Sequence, residues 1–261
     1  MHTFQNRKKV VLTIAGHDPS GGAGIQADIE SIIAAGCQAV SLVTALTVQN
    51  TSAFHTLIPQ APDIFRRQCD ALLSDITIDA CKIGLIGDLA IASVIAEVLN
   101  QLRVPVVFDP ILKAGTGVLL TNPELNACML RELFPRTTVL TPNCAEARQL
   151  TGSSDIHQAG ELMLAGGCQY VLVTGADEAT TQVTNILFAH DAAPVTYQWE
   201  RLPGIYHGSG CTLSAAIAAR LALDSDIPGA VAAAQEYTWN SLRNGLQLGH
   251  GQLHPNRFYQ N

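Results

Sequence analysis

Residues 10–36 read VVLTIAGHDPSGGAGIQADIESIIAAG: a β-branched run, a glycine-rich turn, then an Ala/Ile-rich stretch that stops at a glycine. The spacing predicts a strand over 10–16, a loop from Asp18 to Gly24, and a helix over 24–35. Gly36 ends that helix because glycine accepts the left-handed position past a helix terminus. A second apolar run at 40–49 completes a strand, crossover helix, parallel strand unit. The alternation continues outward, with helices expected at 64–73 and 90–101 and strands at 80–85 and 104–109. Asn122 and Pro123 supply a cap and a first-turn proline for a helix reaching 133. Beyond it come a strand at 138–141, helices at 144–150 and 158–165, and a strand at 170–174. Residues 183–189 and 195–199 predict an antiparallel hairpin, and 210–221 and 228–246 the closing helices. The expectation is one domain over 1–261: a three-layer α/β/α sandwich around a mostly parallel sheet, with ligands at the carboxyl ends of the strands.

Composition narrows the function classes. Of 261 residues, 48% are apolar and 14% charged, which excludes disorder. The net charge is −7 and the only basic cluster is Arg7-Lys8-Lys9, so a nucleic-acid surface is not expected. Asp18 interrupts the apolar run behind that cluster, against a signal peptide. Residues 31–62 carry no Asp, Glu, Lys or Arg, yet Gly36, Gln38, Gln49 and Asn50 break any membrane-spanning run. Seven scattered cysteines without a C-x-x-C pair fit reduced thiols in the cytosol.

Two glycine segments sit where ligands should bind. The loop from Asp18 to Gly24 joins the first strand to the first helix, where backbone N–H groups can approach a ligand unobstructed. Gly22 to Ala27 matches the dinucleotide fingerprint formally, but no acid follows at the required distance of about 20 residues, and no Walker sequence exists. The second segment, His207-Gly208-Ser209-Gly210-Cys211-Thr212, runs into a helix start whose amides and dipole favour an anion. The same position predicts a lowered thiol pKa, so that Cys211 could ionise near neutral pH and accept a hydroxyl proton. Asp109 at the end of the central strand and Glu146 at a helix start are suited to holding Mg²⁺ through water.

Residues 13–28 (TIAGHDPSGGAGIQAD), 44–51 (TALTVQNT), 82–85 (KIGL), 109–110 (DP), 140–147 (LTPNCAEA) and 207–214 (HGSGCTLS) together resemble the hydroxymethylpyrimidine/phosphomethylpyrimidine kinases of thiamine biosynthesis, members of the ribokinase-like fold. That resemblance implies transfer of the ATP γ-phosphate to 4-amino-5-hydroxymethyl-2-methylpyrimidine, with its monophosphate as a further acceptor. It implies a cytoplasmic, magnesium-dependent homodimer. It places Cys211 at the catalytic position and Gly208, Ser209 and Gly210 around the anion. Asp28 and Gln49 would read the pyrimidine edge, while Gly16, Leu85 and Ile111 line its pocket. Asp109, Asn143 and Glu146 fall in the nucleotide neighbourhood, with Asp109 and Glu146 as the metal acids. Departures include His17, Leu85, Ser209, and Thr174 where the family often has a lysine. Only four lysines occur, at 8, 9, 82 and 113, and Lys113 is expected to supply the charge that Thr174 lacks. A pyridoxal-type kinase is the alternative enzyme, and a pyrimidine-binding or regulatory protein with decayed catalysis the alternative outside catalysis.

Overall fold

The computed structural model describes residues 7–260; residues 1–6 and 261 of the expected domain lie outside it. Nine strands form one sheet: β1 (Val10–His17), β2 (Gln38–Gln49), β3 (Phe54–Pro59), β4 (Ala80–Ile83), β5 (Val106–Phe108), β6 (Val139–Leu140), β7 (Tyr170–Val173), β8 (Gln182–Ala189) and β9 (Val195–Glu200). The spatial order is β3-β2-β1-β4-β5-β6-β7-β8-β9. Strands β2, β1, β4, β5, β6 and β7 run parallel, whereas β3, β8 and β9 pair antiparallel at the two edges.

The helices are α1 (Gly24–Ala34), α2 (Pro62–Leu73), α3 (Leu89–Gln101), α4 (Pro123–Cys128), α5 (Cys144–Thr151), α6 (Ile156–Ala165), α7 (Ser209–Ala222) and α8 (Ile227–Arg243). Two apolar cores hold the layers together. One contains Phe65 of α2, Ile91 and Ile95 of α3 and Met163 of α6; the other contains Ile32 of α1, Ile217 of α7 and Val231 of α8. The sheet between them is covered on both faces, and so Val106, Val107 and Phe108 are all buried.

Three expectations change. Residues 54–59, with no strand expected, form β3, because Asn50 caps a turn at Ser52 and Ala53 that folds the chain back along β2. The helix expected to reach 133 keeps α-geometry only to Cys128. It widens into a π turn over Met129–Leu133 and ends in a 3₁₀ turn at Phe134–Arg136, where Pro135 cannot continue the ladder. Helix α8 stops at Arg243 rather than 246. Chain order departs from β1 toward β2 on one side and returns to β4 on the other. This reversal opens a crevice at the carboxyl ends of β1 and β4.

Candidate active site

A cavity of about 630 Å³ runs along the carboxyl ends of the parallel strands. Strand order sets its sequence of residues. Gly16, His17, Thr47, Gln49, Phe54 and Leu85 form the β2–β1–β4 end; Asp109, Ile111 and the 208–211 turn form the middle; Asn143, Thr174, Val183, Trp199 and Trp239 form the β7–β9 end. Gly16 is glycine for a steric reason, since a Cβ there would lie 2.8 Å from Leu85 Cδ2. Gln49 Nε2 donates to Thr47 Oγ1 (2.8 Å), which in turn donates to the His17 carbonyl (2.9 Å). The Gln49 side chain is thereby fixed on the cavity wall.

The middle is built by α7. Gly208 takes φ +80° as its N-cap, and no side chain caps the helix, so the amides of Ser209, Gly210 and Cys211 are available to a ligand. A Cβ on Gly208 would stand 2.1 Å from the Gly22 carbonyl oxygen, so the two glycine segments interlock through backbone. Cys211 is buried and does not carry the acidic thiol expected from its helix position. Burial pushes its pKa up to about 12; Lys82 and the Gly24 amide oppose this, while Asp109 and Asp28 reinforce it. Desolvation outweighs the helix terminus.

The first glycine loop also corrects its expected role. Its amides turn inward: those of Ser20 and Ala23 donate to the Asp18 carboxylate at 2.9 Å, and that of Gly21 to the Asp18 carbonyl. Asp18 further bonds His207 Nε2 at 2.9 Å. Burial works against the Asp18 anion, but His207 and the two amides outweigh it and hold the carboxyl at about 2. The loop is a joint between β1, α1 and the α7 turn, anchored by the buried Asp18 and Gly22, and only its ends, Asp18, Ala23 and Gly24, reach the cavity.

Asp28, expected at the pyrimidine edge, does not line the cavity. It is 0% exposed, Thr13 Oγ1 donates to it at 2.5 Å, and its oxygens lie 2.9 Å from the equally buried Lys82 ammonium. Both oxygens face protein, beneath the cavity floor. Burial disfavours the Lys82 cation, but Asp28 first, then Cys211 and Asp109, keep it above the ordinary lysine range.

Asp109 is 5% exposed and lines the cavity, with Ser214 Oγ 3.5 Å from Oδ2. Glu146 closes a capping box with Asn143: Asn143 Oδ1 accepts the Glu146 amide at 2.8 Å and Glu146 Oε2 accepts the Asn143 amide at 2.9 Å. Its other oxygen accepts the Leu112 amide at 3.2 Å, so Glu146 also fixes the segment following Asp109. Burial raises the Asp109 carboxyl to about 6 against Lys82, and burial together with Asp109 raises Glu146 to about 8. Lys113 is exposed and lines the cavity, in a bridge with Leu119, and Thr174 lines it beside Asn143.

Sequence reading missed the aromatic end. The chain's two tryptophans, Trp199 on β9 and Trp239 on α8, meet with ring centroids 6.2 Å apart. Trp199 Nε1 and Asn185 Nδ2 both donate to Gln235 Oε1, at 3.1 and 2.8 Å. Nothing local relates these residues, and only the closing of α8 over β8 and β9 assembles them. Arg201 was also missed; it gathers the carbonyls of Ala176, Glu178 and Thr180 and so holds the 175–180 loop over this end.

Residues 18–256 match the phosphomethylpyrimidine kinase family. A hydroxymethylpyrimidine/phosphomethylpyrimidine kinase of Rhizobium meliloti (strain 1021) is 34% identical, over 96% of this chain and 97% of that protein. Among solved structures, the pyridoxal kinase of Staphylococcus aureus in complex with AMP-PCP and pyridoxal superposes with a TM-score of 0.89 at 27% identity, over 98% of this chain and 96% of that one. The phosphomethylpyrimidine kinase of Clostridium difficile 630 does so with a TM-score of 0.78 at 32% identity, over 88% of this chain and 98% of that one.

Proposed function

The chain belongs to the phosphomethylpyrimidine kinase family, with a ribokinase-like fold, and from that premise we propose that it moves the γ-phosphoryl group of ATP to the hydroxymethyl group of 4-amino-5-hydroxymethyl-2-methylpyrimidine in thiamine biosynthesis, and then phosphorylates the monophosphate. The observation that carries this reading is the uncapped amide turn at 208–211, midway along a cavity with a small amide-bearing pocket at one end and an indole-lined pocket at the other. In this reading the ring lies against Gly16, Leu85 and Ile111 with its edge on Gln49, and the nucleotide base occupies the indole end. Amides 209–211 take the transferring group. Cys211, beside them, accepts the hydroxyl proton.

Asp109 fits a hard divalent cation, being a buried carboxylate with one weak protein contact at the cavity wall. Glu146 would hold the same ion through water while it organises Asn143 and Leu112. When bound, Mg²⁺ would neutralise phosphate charge. We extend the proposal to a single kinase domain acting in the cytoplasm as a homodimer, the free thiols of all seven cysteines favouring a reducing compartment. No helix among the described residues is long and apolar enough to cross a membrane.

Pyridoxal-type activity is the second reading, favoured by the TM-score of 0.89 to a kinase bound to pyridoxal. ATP consumption with the pyrimidine alcohol, its monophosphate and pyridoxal, assayed side by side by phosphorylated product, separates these. No turnover of any of them would leave the decayed binding protein.

A further inference from the structure

Arg257 is 3% exposed and lies in the tail beyond α8, outside every helix and strand. All three nitrogens of its guanidinium donate hydrogen bonds. Nε donates to Thr212 Oγ1 at 3.0 Å, Nη1 to Glu30 Oε2 at 2.9 Å and the Gly21 carbonyl at 3.3 Å, and Nη2 to the Gly22 carbonyl. One side chain thus joins the first glycine loop, α1 and the first turn of α7.

Burying a guanidinium is costly, and here three of its four acceptors are neutral while Glu30 is 41% exposed. A tail that had only to pack could do so with an apolar side chain. The arrangement has a different logic. Asp18 holds the loop by its N–H groups and His207, whereas Arg257 holds the carbonyls of the same loop from the other side. Both ends of the peptide dipoles meet a charge of the favourable sign. The loop so fixed touches Gly208 through the Gly22 carbonyl, and the amide of Gly24 acts on the Cys211 sulfur. Any drift of residues 20–24 therefore reaches the 208–211 turn.

We propose that Arg257 is a positioning residue for phosphoryl transfer, locking the first glycine loop to the first turn of α7 so that the amides and sulfur of the 208–211 turn stay aligned with the acceptor. The inference rests on the kinase reading. A lysine cannot replace it, because a point charge does not span the Gly22 carbonyl and the Thr212 hydroxyl together.

The test uses the full chain with Arg257→Met and Arg257→Lys, the latter retaining the charge and the Glu30 pair so that folding is preserved. Each variant is expected to lose about 10- to 100-fold in kcat, the scale of a small misplacement of reacting groups. KM for ATP should stay within about twofold, and kcat is referred to the folded fraction measured by circular dichroism, because loss of folded protein by itself lowers apparent kcat at unchanged KM. Hydrogen exchange should quicken at amides 20–24 and 209–212 and not in β4 or β5. Wild-type kcat in Arg257→Lys, or unchanged exchange in the two segments, overturns the proposal. Exchange needs no turnover, so an inactive wild type would sink the kinase reading alone and leave the lock to be decided by exchange.

Discussion

Cys211 carries the sharpest conflict between position and surroundings: a helix start favours its thiolate, yet burial holds the thiol at about 12. The thiolate fraction then rises tenfold per pH unit through the neutral range. If Cys211 takes the hydroxyl proton, kcat climbs with pH between about 7 and 9, and Cys211→Ala lowers it by about 10²–10⁴ and flattens the profile. A variant turning over near the wild-type rate removes that role. Lys113 and Thr174 form the other residue-level question, since both face the cavity and only one bears charge. Lys113→Ala should raise KM for ATP and lower kcat, and adding Thr174→Lys should restore both. If Lys113→Ala changes neither parameter, the charge on the donor phosphates comes from elsewhere. Asp28 shows why a residue name does not establish a role: the same acid that could read an aminopyrimidine is buried against Lys82 and Thr13, and the ion pair with Lys82, 54 residues away, is one that no local pattern announces.

At the scale of elements, that ion pair joins α1 to β4 under the cavity floor. Lys82→Met leaves a buried carboxylate unpaired and should cost about 3–5 kcal/mol, most of it recovered by adding Asp28→Asn, because removing both charges removes the desolvation cost as well. Urea unfolding measures it, and losses that simply add in the double variant would contradict the pairing. The first glycine loop gives a pH prediction. Asp18 is depressed from its ordinary 3.8 to about 2. Its contribution of about 2 kcal/mol is therefore complete above about pH 4 and is lost as pH falls through 2. The stability gap between wild type and Asp18→Asn should close over that interval; a gap constant from pH 5 to 2 would rule out the linkage. The loop was legible as a junction from its glycines and its place between strand and helix. Its inward-facing amides were not, because their acceptor, Asp18, looks from sequence like any turn acid.

For the whole molecule, the alternation of β-branched and Ala/Leu-rich runs made the parallel sheet and its covering helices readable, since each element carries its own period. The edges were harder. Strand β3 is short, half-exposed and set by the turn at Asn50, and β5 and β6 are so brief that their buried runs show position but not length. The site divides along the same line. Asp109 and the 208–211 turn follow from a strand end and a helix start, and Gly16, Gln49 and Leu85 from the resemblance to the family, whereas Trp199, Trp239 and Arg257 become neighbours of the site only when β9, α8 and the tail close over it. The most direct test of the account is the initial rate of ATP-dependent phosphorylation by the purified chain, with the pyrimidine alcohol and pyridoxal compared at equal, subsaturating concentrations. The account predicts phosphorylated pyrimidine at the higher kcat/KM; pyridoxal phosphorylation with no turnover of the pyrimidine would contradict it.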